Sequence, residues 1–159
     1  MRKGVANLAR YYQVGRAANE RYLEALSAAT DHRDGIRGLD RHCRPITNRG
    51  RRHPRLNPVA KEDLALFRAA LAGEHMINGF SNRHLQARLY HRPPADATEA
   101  KRRCQRTSRL ITKLRAHILV AKVPRPRLYR VTPYGQRFMA AAVAVHDTAF
   151  PDAYLKLAA

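Results

Sequence analysis

The stretch from residue 98 to residue 131 constrains the fold most, because a helical repeat changes there into two short strand-like runs. At 100° per residue, one side of a helix predicted over 98–117 carries Thr107, Leu110, Ile111, Leu114 and Ile118. Apolar runs follow at 119–123 and 128–131, and the connector Pro-Arg-Pro-Arg suits a loop between strands. The pattern predicts a mainly α fold with a small β-hairpin.

The same helix carries a second pattern on its other side, which we name the cationic stripe. It consists of Arg102, Arg106, Arg109 and Lys113, at spacings of four, three and four residues. A solvated helix face normally mixes the two signs of charge in i,i+4 pairs, whereas this stripe contains no acidic residue. The stripe therefore predicts a surface that binds a polyanion.

Net charge is concentrated in the same region. The chain has a formal net charge of +19, and residues 93–133 hold eleven basic and two acidic residues. Residues 134–159 hold two of each. A strongly basic surface attracts DNA, RNA or an anionic membrane. No apolar run reaches the roughly 20 residues of a membrane span, and we expect no secretory signal. Two cysteines without framework spacing indicate a reduced, cytoplasmic protein.

Turn and helix signals divide the rest of the chain. Residues 5–29 have the periodicity of an amphipathic helix, whose apolar face needs a partner. Glycines, prolines and eight arginines predict a basic irregular arm over 31–57. Two helices are expected within 58–92 and a last one over 134–147. The predicted organisation is an N-terminal helix at 1–30, the arm at 31–57, one domain at 58–147 and a C-terminal tail at 148–159.

The stretch TSRLITKLRAHILVAKVPRPRLYRVTPYGQRF resembles the recognition helix, wing and following helix of winged helix-turn-helix proteins. The preceding GFSNRHLQARL is similar to the strand and second helix of that unit. The resemblance covers about residues 58–146 and implies a winged helix-turn-helix fold that binds DNA. Where the family usually has a glycine after the recognition helix, this chain has Ile118. A β-branched side chain disfavours the left-handed conformation of such a cap.

On this interpretation the helix predicted over 98–117 is the recognition helix and enters the major groove of duplex DNA. Residues at its start are expected at base edges or nearby phosphates, later ones at phosphates, and the hairpin residues in a wing contact. The predicted DNA-binding residues are, in that order, Arg102, Arg103 and Arg106, then Arg109 and Lys113, then Arg125, Arg127 and Arg130. A bacterial transcription regulator or a DNA binder of a mobile element fits this hypothesis.

Catalytic and metal-binding patterns are missing from the sequence. No zincin, phosphate-loop or nucleophile-elbow motif is present, so we expect no enzyme, cofactor or metal site. A cluster of three histidines and a cysteine in the arm matches no standard zinc spacing; its members are His32, His42, Cys43 and His53.

Two other functions stay open. A small basic protein with an arginine-rich arm also suits a structural RNA-binding protein of a ribonucleoprotein particle. The segment KGVANLARYYQVGRAANERYLEAL and the arm are similar to the C-terminal part of a longer group of uncharacterised bacterial proteins. That resemblance implies a truncated or split member, acting as a protein-interaction module. In that role the N-terminal helix is the expected contact with a partner chain, and a homodimer through the same helix is the alternative.

Overall fold

The computed structural model describes residues 8–30, 39–48, 50–58, 60–124 and 127–149. These residues are mainly helical with a small antiparallel hairpin, as the sequence pattern predicts, and they also form a second small hairpin that it does not predict. The elements in chain order are α1 (Leu8–Thr30), α2 (Leu39–His42), β1 (Ile46–Asn48), β2 (Arg51–His53), α3 (Lys61–Ala70), α4 (Gly73–Asn78), α5 (Asn82–Leu89), α6 (Ala97–Ala116), β3 (Val120–Val123), β4 (Leu128–Val131) and α7 (Pro133–Ala144), which continues as a π-helical turn (Val145–Ala149).

One hydrophobic core lies among α3, α5, α6 and α7. Each helix contributes a fully or almost fully buried side chain: Phe67 from α3, Leu85 from α5, Leu114 from α6 and Phe138 from α7. The rings of Phe67 and Phe138 meet edge to face with their centroids 5.8 Å apart. Burial of such side chains contributes about 1.5–3 kcal/mol each. The core therefore orients α6 by its apolar face.

The second hairpin follows α6 directly. β3 and β4 pair in register from Val120 opposite Val131 to Val123 opposite Leu128. Phe80, between α4 and α5, exchanges both backbone hydrogen bonds with Tyr129, at 2.8 and 2.7 Å. The strand that the resemblance implies before α5 is thus a single-residue bridge, and this bridge holds β4 against the domain.

The turn between α6 and β3 contains the left-handed residue that the resemblance suggests. Ile118 has φ of 63° and a 62% exposed side chain. Its carbonyl accepts a hydrogen bond from the hydroxyl of Thr132 at 2.8 Å. An L-residue pays about 1–2 kcal/mol for this conformation, and a β-branched one more. The chain therefore places a β-branched residue in the left-handed conformation directly after α6.

Close packing at the start of α7 explains the glycine in Thr-Pro-Tyr-Gly. The Thr132 hydroxyl caps the helix by accepting a hydrogen bond from the backbone N–H of Gly135 at 2.9 Å. A Cβ on Gly135 would lie 2.0 Å from the carbonyl oxygen of Leu119. Because that neighbour is backbone, no larger residue fits here without moving the hairpin.

The expectation of an irregular arm is wrong for the described part of residues 31–57. That part forms the α2 turn and the β1–β2 hairpin, paired from Ile46 opposite His53 to Asn48 opposite Arg51. Leu56 is fully buried in the core, and its backbone N–H donates to the His42 carbonyl at 2.9 Å. Three-residue strands are too short to show periodicity. Long-range packing, absent from the local pattern, orders this segment.

Helix α1 packs on α7 and α4 through its small-residue side, where Ala17 and Ala18 are half-buried. Five of its larger apolar residues lie together on the solvent side, and we call these five the apolar stripe. They are 51–68% exposed and comprise Leu8, Tyr11, Tyr12, Tyr22 and Leu23. Within the described ranges, no helix combines the length and apolar character that crossing a membrane requires.

Candidate nucleic-acid interface

Helix α6 has a buried side and a solvent side. Thr107, Ile111 and Leu114 are buried against the core. No aspartate or glutamate occurs between Glu99 and Asp147, so α6 beyond its first turn, both strands of the second hairpin and α7 carry no acid of their own. Any negative charge near this surface must come from other parts of the chain.

The cationic stripe does not lie squarely opposite the core, where its sequence pattern places it. At 100° per residue its middle lies roughly 140° from the centre of the buried side, which brings its edge with Arg106 and Lys113 onto the flank of α6. A neighbouring element can reach a flank. The first turn of α3 does so and brings Glu62 and Asp63 to the stripe. The stripe itself contains no acid, as the sequence shows, but the fold brings two acids from another helix beside it.

Lys113 is held within the domain by one of these acids. Its Nζ lies 2.7 and 2.9 Å from the two carboxylate oxygens of Asp63. The two side chains are only 14% and 8% exposed, and Asp63 also accepts the backbone N–H of Asn57 at 2.7 Å. Both charges are satisfied inside the protein. Lys113 thus ties α6 to the start of α3.

Arg106 forms the second pair, but in solvent. Its guanidinium lies 2.8 Å from Glu62, with side chains 58% and 77% exposed. Exposed ion pairs contribute only about 0–1 kcal/mol, and salt screens them. A phosphate could displace Glu62 at low cost. Arg106 therefore remains available to an anionic partner in a way that Lys113 does not.

Arg103 is a packing residue on the first half of α6. Its guanidinium pairs with Glu99, donates to the carbonyl of Arg92 at 2.6 Å and stacks 4.8 Å from the ring centre of Tyr90. Its side chain is 17% exposed. These contacts fix the Pro-rich connection between α5 and α6. Sequence spacing shows the i,i+4 pair with Glu99 but not the contacts with Tyr90 and Arg92, which lie outside the helix.

Arg102 and Arg109 are the stripe residues without such partners. Both are exposed, and neither forms an ion pair with any residue in the described part of the chain. Further exposed polar residues of α6 were not singled out by the stripe pattern. They are Lys101, Gln105, Ser108, Thr112 and Arg115. A helical wheel centred on the buried side, rather than on the cations, predicts them.

The second hairpin continues the basic surface beyond α6. Arg127 and Arg130 are exposed on it, as is Lys122 on the facing strand. Arg125, the remaining predicted wing residue, lies outside the described residues. The Phe80–Tyr129 bridge anchors β4 to the domain, so Arg130 is carried by a fixed strand. Cations of α6 and of this hairpin thus belong to one contiguous piece of structure.

A buried hydrogen-bond chain links the first hairpin to the end of α6. The Nε2 of His117 donates to the Pro54 carbonyl at 3.0 Å, because a carbonyl only accepts. The Nδ1 of His117 then accepts from the Nδ1 of His42 at 2.9 Å. The Nε2 of His42 in turn accepts the hydroxyl proton of Tyr134 at 2.7 Å. This assignment gives every ring nitrogen a partner with both rings neutral.

The surroundings of these histidines also favour the neutral form. Burial first, and then the nearby His117 and Arg41, lower the pKa of His42 to about 4. Burial likewise lowers the pKa of His117, against the opposing effect of its hydrogen bond to Pro54. The pair therefore serves as an uncharged structural junction at neutral pH.

The arm residues considered for zinc do not come together as a ligand set in the described residues. No group of three or more metal-binding side chains is found there. His42 is engaged in the junction with His117, and His32 lies outside the described residues.

Comparison of the chain with protein-family models, with curated proteins and with solved structures finds no match.

Proposed function

We propose that the protein binds duplex DNA through a winged-helix arrangement. In this proposal α3, α5 and α6 form the three-helix unit, α6 is the recognition helix, and the β3–β4 hairpin is the wing. The observation that carries it is the exposed polar side of α6, which has no acid of its own beyond the first turn and leads directly into a basic hairpin. A single helix of this kind fits the major groove, about 12 Å wide. The role needs no cofactor and no catalytic step.

The contacting residues are assigned from their exposure and their partners. Arg102 and Arg109 meet DNA from α6, with Arg106 exchanging Glu62 for a phosphate or a base edge. Arg127 and Arg130 meet the backbone from the wing. Arg125 keeps its assignment from the sequence. Lys113 and Arg103 support the helix from within the domain, since their charges are already used.

Cytoplasmic DNA is the partner that this proposal requires, in a bacterial transcription regulator or a DNA binder of a mobile element. Titrating salt against binding to a random 30-base-pair duplex tests it. If six to eight phosphates are neutralised, log affinity falls against log salt with a slope of about −5 to −7. A slope near −1 contradicts the proposal. Tighter binding to a structured RNA of equal charge favours the ribonucleoprotein role, and weak binding to both favours a protein partner.

Variants separate the assigned residues from general charge. We expect Arg102→Ala/Arg109→Ala to weaken duplex binding at least tenfold. Arg68→Ala/Arg88→Ala is the matched control, because both arginines are half-exposed on other helices and paired with acids. Glu62→Gln should tighten binding two- to fivefold by freeing Arg106 and removing a negative charge. Equal losses in both double variants, or weaker binding by Glu62→Gln, contradict the assignment.

We also propose that the apolar stripe of α1 pairs two copies of the chain. The three tyrosines expose on the order of 350 Å² at about 200 Å² per side chain, and the two leucines bring the stripe to roughly 500–600 Å². Two copies thus bury about 1,000–1,200 Å², near the lower bound of specific interfaces. Antiparallel pairing about residue 17 aligns Tyr12 with Tyr22 and Tyr11 with Leu23, as a two-fold axis requires.

The low net charge of α1 also favours self-association at this site. Helix α1 holds three arginines and two glutamates, whereas the whole chain has a net charge of +19, so two copies repel each other less here than at the basic surfaces. Sedimentation at about 50 µM should give a dimer for the wild type and a monomer for Leu23→Glu. Val14→Glu is the control, because Val14 is exposed on the same helix but off the stripe. A wild-type monomer, or equal effects of both variants, contradicts the pairing.

A further inference from the structure

The β1–β2 hairpin carries a second concentration of positive charge. Its exposed arginines, which we call the arginine cluster, are Arg41, Arg44, Arg51, Arg52 and Arg55. No acidic residue occurs from Arg41 to Lys61, and none of the five forms an ion pair within the described part of the chain. In this respect the cluster differs from the cationic stripe, where two of four members have acidic partners.

This hairpin is fixed to the proposed recognition helix rather than hanging from it. The Pro54–His117–His42–Tyr134 hydrogen-bond chain joins its base to the C-terminal end of α6 and the start of α7. Leu56 is buried immediately after it, and β1 contacts α6. Since β3 leaves from the same end of α6, both basic hairpins are attached there. An ordered base lowers the entropy lost on binding.

The chemistry of the cluster indicates the kind of partner. Five unpaired like charges repel one another, and a polyanion relieves that repulsion. All five are arginines, whose guanidinium groups match phosphate oxygens in a bidentate way. Residues 41–58 contain no tyrosine, phenylalanine or tryptophan, and of their two histidines His42 is buried and His53 is half-buried. The surface therefore lacks the stacking side chains that single-strand binding uses.

We propose that the arginine cluster binds the phosphate backbone of duplex DNA beside the groove occupied by α6. It forms a second backbone contact, on a hairpin that precedes the three-helix unit in the chain, whereas the wing follows that unit. This inference rests on the proposed function, because it takes α6 as the recognition helix. It assigns no base contact to the cluster. Phosphate contacts hold a protein in register on the duplex and contribute affinity without sequence preference.

The test is the salt dependence of binding to the 30-base-pair duplex, measured for Arg51→Ala/Arg52→Ala. Removing two phosphate contacts should reduce the slope of log affinity against log salt by about 1.8 and weaken binding roughly 10- to 30-fold at 0.15 M salt. The loss should be equal for duplexes of different sequence. Arg51→Lys/Arg52→Lys should restore the slope and part of the affinity.

The control Arg68→Ala/Arg88→Ala removes the same charge from other helices, and thermal melts verify that each variant is folded. If Arg102→Ala/Arg109→Ala weakens binding while Arg51→Ala/Arg52→Ala matches the control, the cluster is not a DNA contact, and the proposed function stands. If the wild type has a slope near −1, both fail. Loss of single-strand but not duplex binding in Arg51→Ala/Arg52→Ala also overturns the inference.

Discussion

Replacing Lys113 by methionine distinguishes a structural lysine from a DNA contact. The sequence pattern assigns Lys113 to phosphate, whereas its Nζ lies 2.7 and 2.9 Å from the oxygens of a buried Asp63 carboxylate. Methionine keeps most of the apolar stem and removes the charge. Asp63, 8% exposed, would then retain the Asn57 N–H as a donor but lose its counter-charge.

Removing one partner of a buried ion pair costs about 3–5 kcal/mol. Because Asp63 keeps one hydrogen bond and Lys113 is 14% exposed, we expect Lys113→Met to cost about 3 kcal/mol. At an m-value of about 1.5 kcal/mol/M, the urea midpoint then falls by about 2 M. Asp63→Asn combined with Lys113→Met should cost less than the sum of the single changes, with a coupling free energy of at least about 1.5 kcal/mol.

Urea unfolding of the wild type, the two single variants and the double variant gives the coupling free energy between Asp63 and Lys113. Titration of folded Lys113→Met with duplex DNA gives the effect of the change on binding. We expect an affinity within twofold of the wild type and an unchanged salt slope. A lost phosphate contact would instead lower the slope by about 0.9. A urea midpoint within 0.3 M of the wild type, together with weaker binding, would refute the structural reading of Lys113.

Three further predictions concern stability. Ile118→Gly should raise the unfolding free energy by about 1 kcal/mol in urea titrations, because glycine removes the left-handed strain at a site with a mostly exposed side chain; a loss of stability contradicts this. Gly135→Ala should lower the free energy of unfolding by at least about 3 kcal/mol, because the new Cβ clashes with the Leu119 carbonyl. Gly15→Ala is the control, since Gly15 has open space within a helix, and its melting temperature should be equal to or higher than that of the wild type. Similar melting temperatures for the two variants refute the clash. His42 has a pKa of about 4 in the folded protein and 6.5 in the unfolded chain, so acid protonates the unfolded chain first. The folded state is therefore fully stable above pH 6.5 and loses about 3 kcal/mol as the pH falls toward 4. Urea midpoints at pH 7.5 and 4.5 measure this loss, and His42→Gln should flatten the pH dependence; an equal dependence in that variant shows that other groups cause it.

Local pattern was sufficient to predict the elements that have several turns or a regular alternation. The helix predicted over 98–117 is Ala97–Ala116, and the paired runs beside it are Val120–Val123 and Leu128–Val131. Ser81 caps α5, one of the two helices expected within 58–92, by accepting a hydrogen bond from the backbone N–H of His84. Periodicity and capping act within a few residues along the chain, so the sequence displays them directly.

The arm shows the opposite case. Its strands have three residues each, and its glycines and prolines indicate loop. What orders it is the burial of Leu56 and the contact of His42 with His117, which lies 75 residues away. A local pattern cannot contain a partner so distant.

For the candidate site, the sequence alone determined which residues carry the charge, that they recur on one helix, and that a basic hairpin follows. Only the tertiary structure decided which of those charges remain free. Arg106 and Lys113 receive their acids from 44 and 50 residues earlier in the chain, while Arg102 and Arg109 have no such neighbour among the described residues. The physical reason is that spacing along a helix fixes the angle of a side chain about the axis, whereas its partners depend on how the helices pack.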